Sequence, residues 1–129
     1  MTISIFEITI SSEISIFEIR RILLPRLKFQ TLTEQMFYIL LCLTEECCGM
    51  DMLQKIPEMT GGRVNVGSGT LYDLLEQFKD AGLIRETKRE GRKRSYKIST
   101  QGREMLQKEY SRICAQVSDY EKVTGANTK

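Results

Sequence analysis

Between residues 85 and 97 the chain carries seven Lys or Arg against two Glu, a local charge of +5 in a protein whose whole net charge is +2. Elsewhere the balance is +1 over residues 1–29, −5 over 30–84 and +1 over 98–129. Basic charge confined to one short stretch suits a polyanion that touches the protein at one place, since bulk basicity would spread the attraction over the whole surface. Lys88, Arg89, Arg92, Lys93 and Arg94 form the densest part, and Glu86 and Glu90 are too few to offset them. A charge run is usually a solvated face. The same-sign bias here favours phosphate contact instead.

Other chemistries find little support. The chain has no His, which removes the commonest general base, the commonest zinc ligand outside all-cysteine sites and every imidazole triad. The word GRVNVGSG at 62–69 is similar to a phosphate-binding loop, but Ser68 stands where that loop needs Lys. No catalytic residue, cofactor or metal is assigned. Cys42, Cys47, Cys48 and Cys114 lack the spacing of a disulfide framework and are expected as reduced thiols, the first three as small buried hydrophobes. A thiol-responsive role for the adjacent Cys47 and Cys48 is the alternative. No apolar run is long enough to span a bilayer and no secretory leader is evident, so a cytoplasmic location without membrane contact is expected.

The elements that must position the basic stretch can be read from periodicity. Residues 1–28 form an N-terminal extension in which ISIFEI occurs at 3–8 and again at 14–19, with strand-like alternation of Ile3, Ile5, Ile8 and Ile10; Leu27 offers an alternative translation start. Thr31 and Glu34 have the spacing of a capping box ahead of a first helix with Met36, Phe37, Leu40, Leu41 and Leu43. A second helix runs from Met50 to Met59 over Met52, Leu53 and Ile56, limited by Pro57 and closed by Gly61 and Gly62. A third, capped by Gly67 or Ser68, buries Leu71, Leu74, Leu75 and Phe78 and ends at Gly82. Leu83, Ile84 and Thr87 then start a strand, Glu90-Gly91 turns it, and Ser95, Tyr96 and Ile98 return. Ser99 or Thr100 caps a last helix in which Leu106, Tyr110, Ile113, Val117 and Tyr120 recur at spacings of 4, 3, 4 and 3. That narrow seam is the pattern of a helix packing on a partner helix, and it predicts a homodimer.

Three stretches carry a family resemblance: FYILLCLTEECCGMDMLQKI at 37–56, TGGRVNVGSGTLYDLLEQFKDAGLI at 60–84 and EGRKRSYKISTQGREML at 90–106. With Gly-Thr-Leu-Tyr at 69–72 followed by Gly-Leu-Ile, Gly-Arg-Lys-Arg, Tyr-Lys-Ile and Gln-Gly-Arg, the chain resembles the PadR family of transcriptional regulators over about residues 29–123. The resemblance implies a mainly α winged helix-turn-helix with a small β-hairpin over 29–99, a dimerisation helix over 100–123 and a flexible tail over 124–129. It also implies a repressor that binds an inverted-repeat operator in double-stranded DNA. Ser68, Gly69, Thr70, Tyr72 and Asp73 would then face the major groove, and Lys88, Arg89, Arg92, Lys93 and Arg94 the backbone. The sequence departs from the family pattern at Cys48-Gly49-Met50-Asp51, where His-Gly-Tyr-Glu is usual, and at Gly67-Ser68-Gly69, where Ser-Pro-Gly or Ser-Thr-Gly is usual. Relatives that take flat aromatic ligands between protomers use a Trp, which this chain lacks, so no inducer is assigned. A winged helix used purely for protein contact is the other alternative.

Overall fold

Thr33 sets the start of the first helix in the computed structural model, which describes residues 31–126. The predicted extension over 1–28 and its repeated hexapeptide lie outside the described residues. Thr33 is extended and its Oγ1 accepts from the Met36 N–H at 3.2 Å, capping α1 (Glu34–Cys42). The expected Thr31–Glu34 box is therefore displaced by two residues. Glu34 is already the first helical residue, and its carboxylate pairs with Arg63 on the loop before the third helix.

α2 (Gly49–Met59) continues two residues beyond Pro57 before Thr60 ends it. The Thr60 hydroxyl donates to the Ile56 carbonyl at 2.8 Å, and Gly62, at φ +80°, closes the turn by donating to the Pro57 carbonyl at 2.8 Å. α3 (Ser68–Asp80) ends in a Schellman motif: Leu83 N–H reaches the Phe78 carbonyl at 2.9 Å and Gly82 N–H the Lys79 carbonyl at 3.0 Å. The left-handed residue that this motif needs is Gly82, at φ +78°.

The sheet holds one strand that periodicity does not reveal. β1 (Cys47–Cys48), β2 (Ile84–Glu90) and β3 (Lys93–Ile98) lie antiparallel in the order β1-β3-β2. β1 is only two residues long, too short to show alternation, and it pairs Cys47 with Tyr96 and Cys48 with Ser95. Both cysteines are buried. Tyr96, 1% exposed, fastens the hairpin to the body. It joins a core made of Ile39 and Leu40 from α1, Leu43 at its C-cap, Met52 and Ile56 from α2, and Leu71, Leu75 and Phe78 from α3.

α4 (Thr100–Thr124) is anchored at its start. Ser99 Oγ accepts from Gly102 N–H at 3.0 Å and donates to the Gly82 carbonyl at 2.7 Å, while Ser99 N–H donates to the Leu83 carbonyl at 2.9 Å. Gly102 sits so close to the α3–β2 connection that a Cβ would meet the Leu83 carbonyl oxygen at 2.2 Å. Two turns further, Glu109 is 3% exposed and its Oε2 accepts from the Leu32 N–H at 3.2 Å, tying the chain ahead of α1 to α4. Its other oxygen takes Arg112 Nε at 2.7 Å, so the buried charge is paired.

Candidate nucleic-acid interface

α3 has two faces of opposite character. Leu71, Leu74, Leu75 and Phe78 are buried, and Ser68, Gly69, Thr70, Tyr72 and Asp73 are exposed. Gly67 caps the helix without a side-chain bond, and the first turn carries no acidic residue. Its opening N–H groups thus present the positive end of the helix dipole to solvent, an arrangement suited to a phosphate oxygen. A Cβ at Gly69 would have nothing within 4 Å.

Tyr72 is only 39% exposed. Its ring lies over Gly49 at the start of α2, where an added Cβ would stand 2.9 Å from Tyr72 Cε1. The ring is thereby fixed in direction, its hydroxyl oxygen also within 3.4 Å of that Cβ position, while part of the side chain stays exposed. Gly49 is a positioning residue that sequence inspection did not single out, because its demand for space arises from a residue 23 positions away. Asp73 is held by Gln77, whose Nε2 donates to Oδ2 at 2.9 Å.

The hairpin distributes its cations by register. Arg85 lies opposite Lys97, Lys88 opposite Ser95, Arg89 opposite Arg94 and Glu90 opposite Lys93. Thr87 is the extra residue of a β-bulge between Glu86 and Lys88. Because side chains alternate along a strand and directly opposed residues share a face, the bulge turns Lys88 onto the face of Arg85, Lys97 and Lys93. Arg89 and Arg94 take the other face with Glu86 and Tyr96. Gly91, at φ +62°, opens the two-residue turn at the tip.

Some of these charges are compensated within the chain. Lys88 Nζ lies 3.2 Å from Glu90, Arg89 Nη2 3.3 Å from Glu86, and Arg94 lies 3.8 Å from Glu76 on α3 and 3.9 Å from Glu86. Arg92 and Lys93 at the tip, and Arg85 and Lys97 at the base, have no ion pair among the described residues. Arg85 and Lys97 belong to the basic stretch but were not among the expected contacts. Their direct opposition, a like-charge pair that costs stability on its own, becomes visible only in the register.

The remaining predicted residues lie on α4. Leu106, 9% exposed, is buried within its own chain, whereas Tyr110 (55%), Ile113 (37%), Val117 (47%) and Tyr120 (62%) form an exposed apolar stripe. Two grooves flank it, one of about 810 Å³ between α1 and α4 lined by Phe37, Leu41, Leu106 and Tyr110, the other of about 550 Å³ reaching Leu32, Ile113 and Val117. Cys47 and Cys48, adjacent in a strand, point to opposite faces and suit a packing role. Burial pushes the Cys47 thiol up despite Lys55 Nζ at 3.7 Å, and burial beside Cys47 does the same to Cys42. Such thiols are poor nucleophiles. Among the described residues no cluster of His, Cys, Asp or Glu is suited to a metal, and no helix is long and apolar enough to cross a membrane.

Three helices, a three-stranded sheet ending in a basic hairpin and a long fourth helix define a winged helix-turn-helix. Residues 39–108 match the transcriptional regulator PadR-like family, and the chain belongs to that family of regulators. A PadR family transcriptional regulator from Eggerthella lenta has the same fold, with a TM-score of 0.59 at 18% identity over 95% of this chain and 97% of that one. A transcriptional regulator from Clostridium thermocellum gives 0.54 at 21% identity over 72% and 91%. NadR in complex with 4-hydroxyphenylacetate gives 0.55 at 17% identity over 95% and 82%. No curated protein matches the chain.

Proposed function

We propose that the protein is a homodimeric repressor that binds an inverted-repeat operator in double-stranded DNA, α3 entering the major groove and the hairpin gripping the adjacent backbone. The observation that carries this is the juxtaposition of the exposed start of α3 with the basic hairpin, to which α3 is linked through Glu76 and Arg94 at 3.8 Å. One recognition helix reads only a few base pairs, so specificity calls for two copies about 34 Å apart. The exposed stripe of Tyr110, Ile113, Val117 and Tyr120 supplies the surface for the second copy. Residues 29–99 are the DNA-binding unit and 100–123 the dimerisation helix, with the extension over 1–28 and the tail over 124–129 outside both. The location is the cytoplasm.

The test is selection of bound genomic fragments followed by footprinting and salt titration. Three or four cations per protomer, of which Arg85, Arg92, Lys93 and Lys97 are the unpaired ones, give a dimer a log K against log salt slope of about −5 to −7. Two protected half-sites about one helical turn apart are expected. Salt-independent or undetectable duplex binding would instead favour a winged helix used for protein contact.

A further inference from the structure

Not every wing cation is equally available to DNA. Lys79, Glu76, Arg94, Glu86 and Arg89 form a chain of alternating charge from the outward face of α3 onto the hairpin, with successive N–O distances of 3.7, 3.8, 3.9 and 3.3 Å. Arg89 and Arg94 are directly opposed across the strands, and their repulsion is relieved by Glu86, which both approach, and by Glu76, which of the two pairs with Arg94 alone. Glu86 belongs to the hairpin itself. Glu76 comes from α3 and is the only carboxylate from outside the hairpin paired with a wing cation among the described residues.

Resting on the DNA-binding role proposed above, we infer that Glu76 is a specificity-determining positioning residue: it holds Arg94 against α3 and withholds that charge from the phosphates of non-cognate DNA. A cation already neutralised by a carboxylate must give up that partner before it can release a counterion from DNA, so it adds little to nonspecific affinity. The Glu76–Arg94 pair is solvent-exposed and individually weak, which suits a restraint that a well-fitted operator can overcome. Arg92 and Lys93, with no such partner, carry the nonspecific grip. The carboxylate also stands on the helix that enters the groove, where any misplacement brings it toward a phosphate.

The test uses the full chain and a short mixed-sequence duplex. Glu76→Gln removes the carboxylate that ties Arg94 to α3 and leaves it only Glu86, already shared with Arg89, so the slope of log K against log salt steepens by up to about 0.9 per protomer. Per protomer, that is up to about eightfold tighter nonspecific binding at about 0.1 M salt relative to about 1 M. In an Arg94→Gln background the same substitution gives a clearly smaller steepening, because it then releases Lys79 alone. Thermal unfolding of each variant verifies that the fold is kept. If wild type binds with a salt-dependent slope and Glu76→Gln leaves it unchanged, the inference is overturned and the DNA-binding role stands. Equal tightening with and without Arg94 also overturns it, because the effect would then be general charge and not the holding of Arg94. If wild type shows no salt-dependent duplex binding, the DNA-binding role fails and the inference with it.

Discussion

Gly69 is a glycine that the chain's own packing does not require, and replacing it separates stability from binding. It is the second residue of α3, its φ lies outside the left-handed region, and a Cβ built there meets nothing within 4 Å. Glycine in a helix costs about 0.5–1 kcal/mol relative to alanine. Gly69→Ala should therefore stabilise the fold by about that amount and, for a domain of this size, raise Tm by about 2–8 °C. Glycine at that place is accounted for if an external backbone approaches the start of α3 closely. A methyl group would then hold the DNA away and loosen one or two hydrogen bonds to phosphate, at about 1.5 kcal/mol each. The expected loss of DNA affinity is about tenfold to hundredfold. Calorimetry gives the first quantity and fluorescence anisotropy on operator DNA the second. A variant with raised Tm and unaltered DNA affinity would refute the placement of the α3 start at the DNA backbone. A lowered Tm would refute the structural premise.

Three further outcomes are expected. Gly102→Ala places a methyl 2.2 Å from the Leu83 carbonyl oxygen. Overpacking of about 1–3 kcal/mol and loosened Ser99 bonds of about 1 kcal/mol, less about 1 kcal/mol of helix propensity, leave a net loss of about 1–3 kcal/mol and lower Tm by about 4–24 °C; an unchanged Tm in thermal circular dichroism would contradict the close approach. Ile113→Lys with Val117→Lys should give a folded monomer with weak operator binding, since both side chains are exposed in the single chain; a dimer in sedimentation would remove the α4 stripe from the interface. Finally, the Cys42 and Cys47 thiols are raised by burial above the ordinary value of 9.0, so the folded state resists their ionisation. Their contribution to stability is complete below that value and is lost as pH rises past it. The urea midpoint should fall in alkaline solution and fall less in Cys42→Ala with Cys47→Ala; identical pH profiles would show that neither thiol contributes.

How much of this was legible in the residues depends on the range of the interaction. The α3 stripe of Leu71, Leu74, Leu75 and Phe78 and the turn residues Gly82 and Gly91 were all readable, because helical period and positive φ are local demands. The N-cap of α1 was misplaced by two residues because Thr31 and Thr33 both precede acceptable helix starts, and local chemistry does not choose between them. β1 went unseen because two residues have no period.

The sequence by itself determined the order of the four helices and the hairpin, the concentration of cations in that hairpin and the apolar spacing along α4. Only the tertiary structure decided which of those features are free to act. Leu106 left the stripe because α4 packs it against its own chain, while Tyr110, Ile113, Val117 and Tyr120 remained outside. Arg94 was drawn to Glu76, 18 residues earlier, while Arg92 beside it stayed unpaired. Neighbours in sequence share composition, but burial and charge compensation depend on what the fold brings within a few ångströms.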